Sequence, residues 1–220
     1  DVFRHANFLL TENFQVKFKA DYYLGDHTLS AGYEYDNVDV FNIFAPSSLG
    51  SYVFDSVADF QNQRAASLFM ANISATGNVD DLAGVFENSV HSLYFQDRWD
   101  IFENLTLQAG LRYDWYDSGD RPFRNENFAA RNGFDNTETM DGRDIIMPRL
   151  GFNWQPFDRT TIRGGVGLFS GGVPSGFLSN SFSNVGILNQ SGFFSSSAME
   201  NILVDGYNID PSLIAQLEPG

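Results

Sequence analysis

The side chains that could do acid–base or metal chemistry are dispersed along this chain. The three histidines, His5, His27 and His91, are far apart, and none has a second histidine two or four residues away, as a metal site on one element usually requires. The chain contains no cysteine, which excludes thiolate ligands, cysteine nucleophiles and disulfides. This dispersal predicts no metal and no cofactor, and it favours turn or polar interior positions for the histidines.

Two further stretches have the composition of a functional motif without its spacing. In RGGVGLFSGG, residues 163–172, Ser170 stands where the phosphate-binding motif G-x-G-x-x-G has its third glycine. No G-x-S-x-G nucleophile elbow surrounds Ser170 or Ser175. Asp80 and Asp81 are adjacent, so their carboxylates point apart, and we interpret them as solvated loop residues. Because no nucleophile–base set can be assembled, we expect a protein that is not an enzyme.

Four charged residues are better candidates for function: Glu34, Arg112, Arg149 and Arg163. Each lies on the polar side of a stretch in which apolar and polar residues alternate. What these charges do depends on the elements that carry them and on what the two sides of those elements face.

The alternating stretches are about ten residues long and come in pairs. The pairs are 14–24 with 28–40, 90–101 with 105–116, and 145–155 with 160–169. A two-residue period indicates a strand with one apolar and one polar face. Short turn sequences join the members of each pair, whereas 41–89, 117–144 and 170–220 are long connections. Pro148 would remove one ladder donor, so we expect it at a bulge or a strand start.

The order of short and long connections predicts the architecture. Each short turn follows an odd strand and each long connection follows an even one, so an antiparallel meander has all its long loops at one end. Outer-membrane β-barrels have this layout, with short periplasmic turns and long extracellular loops. No run of about 18 apolar residues is present, as a transmembrane helix would need. We therefore predict an all-β, antiparallel up-and-down transmembrane β-barrel segment with long extracellular loops, in contact with outer-membrane lipid.

Aromatic residues support this orientation, since they form two bands at opposite ends of the strands. Trp99 and Trp154 lie just before short turns, whereas the other band, near the long loops, contains Tyr33, Tyr35, Tyr113 and Trp115. Such bands are typical of the two membrane interfaces.

In a barrel, the four charges would point into the lumen, because a charge that faces lipid at mid-depth costs about 2–4 kcal/mol. There they would contact an internal domain or guide a substrate. The alternative is that they only form ion pairs across strands and keep the lumen wet.

The long loops contain the other candidates. Five aromatic residues lie there among Ser, Asn and Gly: Phe177, Phe182, Phe193, Phe194 and Tyr207. This mixture suits capture of a sugar, a peptide or a siderophore-like ligand, or else the rings only pack the loops together. We expect a short helix at 56–60, a strand at 66–74 that extends a hairpin beyond the sheet, and a helix at 212–217 with Asp210 as its N-cap.

Composition limits the class of partner. The formal net charge of −15 argues against nucleic acid, which requires a basic surface. Aromatics make up 15% of the residues, and the chain has 20 glycines, a mixture that suits strands and turns.

Several segments resemble a known family. HSLYFQDRWDIFENLTLQAGLRYDW and MPRLGFNWQPFDRTTIRGGVGLFSGG resemble paired barrel strands of TonB-dependent outer-membrane receptors. LGDHTLSAGYEYDNVDVFNIF, YVFDSVADF and FLSNSFSNVGI are similar to the Oar-like branch. The resemblance implies a 22-stranded barrel closed by an N-terminal plug domain and driven by the TonB system. It implies a receptor that binds a ligand at its extracellular loops and moves it across the outer membrane of a Gram-negative bacterium.

The chain departs from that pattern, because it shows about six to eight strands and no plug, TonB-contacting segment or signal peptide. We therefore expect residues 1–220 to be a fragment of one barrel domain. The alternatives are a passive porin or structural outer-membrane barrel, and a soluble β-sandwich that binds a ligand. The sequence does not identify the ligand.

Overall fold

The computed structural model describes residues 2–76, 78–171, 175–204 and 209–219. The strands are, in chain order, β1 (Asn7–Leu24), β2 (His27–Phe44), β3 (Ser51–Val53), β4 (Ser67–Ser74), β5 (Gly84–Phe102), β6 (Leu105–Asp117), β7 (Asp144–Phe157), β8 (Thr160–Gly167), β9 (Asn189–Phe194) and β10 (Glu218–Pro219). The α-helices are α1 (Val57–Gln61), α2 (Glu126–Asn132), α3 (Ser175–Ser183), α4 (Ser196–Met199) and α5 (Pro211–Ile214), with 3-10 helices at Val2–Arg4 and Val79–Leu82. None of the helices in the described ranges is long and apolar enough to cross a membrane.

The main sheet contains the three sequence-predicted hairpins in sequence order. Its strand order is β1-β2-β5-β6-β7-β8, every neighbouring pair is antiparallel, and β1 and β8 are its two edges. Most strands are longer than the alternation alone predicts, since β1 begins at Asn7 and β5 at Gly84, whereas β8 ends at Gly167, two residues before its predicted end. The extra length lies at the end with the long connections, where β1, β2 and β5 continue together.

The short turns lie at the opposite end of this sheet. Leu24 pairs with His27, so Gly25 and Asp26 form a two-residue turn, and the positive φ of Gly25 (57°) suits the primed turns that hairpins favour. The connections β5–β6 and β7–β8 also contain two residues each. This agrees with the predicted separation of short turns from long loops.

Pro148 lies neither at a bulge nor at a strand start. It is inside β7, paired in continuous register with Leu111 of β6. Its carbonyl accepts from the Leu168 N–H (2.9 Å), just beyond the last residue of β8, so the missing N–H faces the side on which the β8 ladder ends. The proline therefore costs one ladder bond at most.

The long connections fold into a second, smaller sheet. Its order is β10-β9-β4-β3, so it combines strands from the first long connection with strands from the last. The strand predicted at 66–74 exists as β4, but it pairs with β3 and β9 and does not extend a hairpin of the main sheet. We call the described parts of 45–83 and 168–219 the loop cap. Its core contains the buried side chains of Ala65, Leu68, Met70, Phe194, Met199 and Leu213.

Two predicted helices lie in the loop cap. Ser56 caps α1, because its Oγ accepts from the Asp59 N–H (3.0 Å). Asp210 caps α5, because its Oδ1 accepts from the Ser212 N–H (2.8 Å), and Pro211 occupies the first turn. The second helix ends at Ile214, earlier than predicted.

Candidate functional site

The two faces of the main sheet differ as the alternation predicts. The face that carries Leu107, Phe95 and Leu150 is apolar. Phe95 is 53% and Leu150 54% accessible, and Leu107 is half-buried. A soluble sheet would bury them, whereas a barrel exposes them to lipid. We call this the outward face, and we call the opposite one the polar face.

The height of the outward apolar band fits a membrane. It extends along β6 from Leu105, paired with Trp154, to Trp115, paired with His91. Ten residues at about 3.3 Å each, tilted by about 40°, give a band roughly 25 Å tall, which is the usual height of the lipid-facing band of a barrel.

The band near the long loops contains more than the predicted Tyr33, Tyr35, Tyr113 and Trp115. The ring of His91 stacks on Trp115, with centroids 4.9 Å apart and planes within 6°, and His91 Nδ1 shares a hydrogen bond with the Tyr33 hydroxyl (2.7 Å). His91 therefore lies on the outward face, in contrast to the turn or interior position expected for it. Because it stacks on Trp115, the imidazole of His91 acts as a fifth aromatic ring of this band.

The band near the short turns holds a second unpredicted residue. Trp99 and Trp154 lie there as expected, and His27 stacks on Trp99 at 5.1 Å. Asp97 lies on the same outward face, and its Oδ2 is 2.8 Å from His27 Nδ1. The pair reduces the cost of a carboxylate next to lipid. The sequence alternation indicates this outward position of Asp97, because Asp97 interrupts the apolar series of Leu93, Phe95 and Trp99.

The polar face holds all four predicted charges, and two of them meet. Arg112 donates from Nη1 to Glu34 Oε2 (2.8 Å) and from Nε to Asp114 Oδ1 (2.7 Å). Its Nη2 donates to Ser92 Oγ (2.6 Å). Each guanidinium nitrogen therefore has a partner, and Asp114 is only 5% exposed. This Arg112 network crosses three strands, and its geometry suits a structural cross-link of the wall.

Arg149 and Arg163 lie on β7 and β8. Arg149 lines a cavity that Glu34 and Arg112 also line, whereas Arg163 lies nearer the short turns. The Arg149 guanidinium is 4.6 Å above the Phe169 ring. Arg163 donates from Nε to Asn153 Oδ1 (3.1 Å). Within the described ranges neither arginine has a carboxylate partner. These two charges are held in place but are not neutralised.

The loop cap lies against the outer end of the polar face. Helix α3 contacts β2 and β5 there, where Phe182 stacks on Phe86 (4.7 Å) beside Val40. Asn42 donates from Nδ2 to Ser179 Oγ (2.8 Å), and Ser179 is fully buried. The second long connection joins this arrangement, since Asn125 Nδ2 donates to the Val185 carbonyl (2.7 Å). The three long connections thus contact one another, and α3 lies over the polar side of the sheet.

The loop aromatics separate into two groups. Phe182 and Phe194 are 7% and 6% exposed and pack inside the cap, so this arrangement gives a ligand no access to them. Phe177 and Phe193 are 72% and 68% exposed. Tyr207 lies outside the described residues. For Phe182 and Phe194 burial favours the alternative that the rings pack the loops together, and for Phe177 and Phe193 ligand contact stays a prediction.

Groups in the loops show modest electrostatic effects. The Thr137 hydroxyl and N–H both donate to Asp135, which lowers the pKa of that carboxyl. Ser212 does the same at Asp210 and lowers its pKa. Burial against the cap core raises the pKa of Tyr52. Within the described ranges no three His, Asp or Glu residues are arranged to hold a metal ion.

Comparison with known proteins agrees with this geometry. The family model for the outer membrane beta barrel domain matches residues 4–215. The chain therefore belongs to the outer membrane β-barrel domain family, and it is located in the outer membrane of a Gram-negative bacterium. No curated protein and no solved structure matches it. Membership of this family argues against the soluble β-sandwich alternative. It also explains why the outward face is apolar and exposed.

Proposed function

We propose that the chain is the barrel-wall portion of a TonB-dependent outer-membrane receptor that binds a ligand on its extracellular side and moves it across the membrane. The observation that carries this proposal is the loop cap. The two long connections of the cap share a sheet, the connection 117–144 joins them through Asn125, and α3 lies against the outer end of the polar face. A barrel built for free diffusion needs an open mouth, whereas a receptor needs an ordered surface that holds its ligand before transport.

The open sheet is compatible with a large barrel. Six strands enclose too little space for a channel of the kind that carries sizeable ligands. In lipid the edges β1 and β8 require partners, because unpaired backbone groups are costly there. In our proposal, further strands complete a barrel of about 22 strands, as in the plugged transporters of this architecture. A plug domain and the TonB system of the inner membrane are the partners that this function requires.

Two measurements on the full-length protein test the proposal. The first is in vivo formaldehyde cross-linking in cells that contain an epitope-tagged TonB, followed by capture of the tag. The second is conductance in planar bilayers with potassium chloride as the probe. We expect a cross-linked complex with TonB and no steady conductance, because the plug closes the lumen.

The passive alternative gives the opposite pattern. A porin or structural barrel would form no TonB complex, and a porin would show stepwise conductance without an energy source. Either the absence of a TonB complex or the presence of open channels would refute the proposal. The same cross-linking in cells that express an unrelated outer-membrane barrel provides the control for specificity.

A further inference from the structure

The distribution of charge on the polar face is uneven. Six cations of the main sheet lie on this face: Lys17, Lys19, Arg98, Arg112, Arg149 and Arg163. The first four have a carboxylate within 4.0 Å, whereas Arg149 and Arg163 have none within the described ranges. The polar-face positions of β7 and β8 carry no acidic residue at all. In a chain of net charge −15, this is a local excess of positive charge.

Both arginines border a continuous groove. A cavity of about 260 Å³ contains Arg149 and Gln96 in its wall, and an adjoining cavity of about 390 Å³ contains Arg163 and Arg98. Gln108 and Gly151 line both cavities, so the two spaces meet at these residues. We call this the β6–β8 groove.

The groove exists because its floor lacks side chains. Gly151 pairs with Gln108 on one side and with Gly165 on the other, so two neighbouring strands present bare backbone there. A Cβ built on Gly151 would have only the Gly164 carbonyl within 4 Å, at 3.7 Å, which shows that the space above it is open.

The guanidinium groups of Arg149 and Arg163 are held in position but keep N–H groups available for a ligand. Among the described residues, Arg163 donates from Nε to Asn153, and its two terminal NH₂ groups remain available to donate outward. The Arg149 guanidinium lies over Phe169, a contact that orients its plane and keeps its charge. By the strand register the two Cα atoms are roughly 14 Å apart, so the arginines offer two separated anchor points.

We propose that the β6–β8 groove is a binding site for a solute that carries two or more phosphate or carboxylate groups. Guanidinium groups recognise these oxyanions by charge-assisted, bidentate hydrogen bonds, and a low-dielectric wall strengthens the attraction. The side-chain amide of Gln108 supplies a further donor between the two arginines, and that of Gln96 supplies one level with Arg149 across Gly110. This assignment rests on the proposed function and gives the class of its cargo.

Calorimetric titration of the full-length protein in detergent micelles tests the proposal, with tripolyphosphate as the probe and maltotriose as an uncharged probe rich in hydroxyl groups. We expect tripolyphosphate to bind and maltotriose not to bind at this site. R149Q combined with R163Q should weaken tripolyphosphate binding about a hundredfold, or about tenfold for each arginine lost. R159Q is the matched control and should leave binding unchanged, because Arg159 is also exposed and has no ion pair within the described ranges but lies in the β7–β8 turn.

A second variant separates the groove from diffuse surface charge. Gly151→Leu keeps both arginines and fills the shared floor, so we expect it to weaken binding as well. Unchanged binding in G151L, or equal losses in R159Q and the double variant, would overturn the proposal.

The alternative is that Arg149 and Arg163 form ion pairs with carboxylates elsewhere in the full-length protein. In that case the wild type would not bind tripolyphosphate and the double variant would unfold at a lower temperature, which would also overturn the proposal. These titrations do not involve TonB. A failure here with a positive TonB cross-link would leave the transport function intact, whereas a negative cross-link would remove the transport function and leave any measured binding in place.

Discussion

Leu111→Arg is the substitution that most directly tests which side of the sheet faces lipid. Leu111 lies on the outward face of β6, 50% exposed, between Phe95 and Pro148 on the neighbouring strands. It is one residue from the midpoint of the band that extends from Leu105 to Trp115. Gln108 lies three residues earlier on the polar face, so Gln108→Arg adds the same side chain to the same strand on the other side.

The expected cost of Leu111→Arg follows from its depth. An arginine that faces lipid near the midplane destabilises a barrel by about 2–4 kcal/mol, which is about a 30- to 800-fold change in the unfolding equilibrium. Gln108→Arg places the charge in the wet groove, and we expect less than about 1 kcal/mol there. Leu111→Met controls for loss of the leucine, because it changes shape without adding charge.

Urea unfolding of the full-length protein in phosphatidylcholine vesicles, followed by tryptophan fluorescence, measures these differences when folding and unfolding curves coincide. A nitroxide label at each of the two positions gives an independent readout, since oxygen dissolved in lipid should reach the label at 111 and not the one at 108. Equal costs for the two arginines, or equal oxygen access, would refute the assignment of the outward face to lipid.

Two further predictions concern the loop cap. A Cβ on Gly84 would lie 2.7 Å from the Ser179 carbonyl oxygen and hydroxyl, so Gly84→Ala should displace α3 and destabilise it locally by about 1–3 kcal/mol. The amides of α3 should then exchange hydrogen faster. Gly119→Ala is the control and should leave their exchange unchanged, because a Cβ there meets nothing within 4 Å. Hydrogen bonds from Ser212 lower the pKa of Asp210 in the folded state. The N-cap of α5 should therefore contribute its full stability above the unfolded pKa of an aspartate, about 3.9. This contribution should be lost as the pH falls through the lower folded pKa. Exchange of the α5 amides against pH measures this, and an Asp210→Asn variant that keeps the wild-type profile would contradict it.

Much of the main sheet was predictable because its rule is local. Successive side chains of a strand point to opposite faces, so alternation in one stretch assigned Leu107 and Gln108 to different sides without any knowledge of their neighbours. The short turns were equally local, as at Gly25, where a positive φ favours glycine. Strand ends were less accurate, because β1 and β5 continue beyond the apolar band on pairing with β2 alone.

The burial and the contacts of individual site residues were harder to predict. Phe193 and Phe194 are adjacent and identical in type, yet one is exposed and the other is in the cap core. The difference depends on the pairing of β9 with β4, a partner more than 100 residues earlier in the sequence. Asp97 and His91 were missed for a similar reason, because their partners His27 and Trp115 lie on neighbouring strands.

Spacing within single segments was enough to predict the strand pairs, their two faces and the separation of short turns from long loops. The same local spacing places Asp114 beside Arg112, two residues along one face of β6. The pairing of strands was needed to bring Glu34 of β2 to 2.8 Å from Arg112, whereas Arg163 has no carboxylate partner within the described ranges. Electrostatic pairing depends on distances across strands, and those distances are set when the sheet forms.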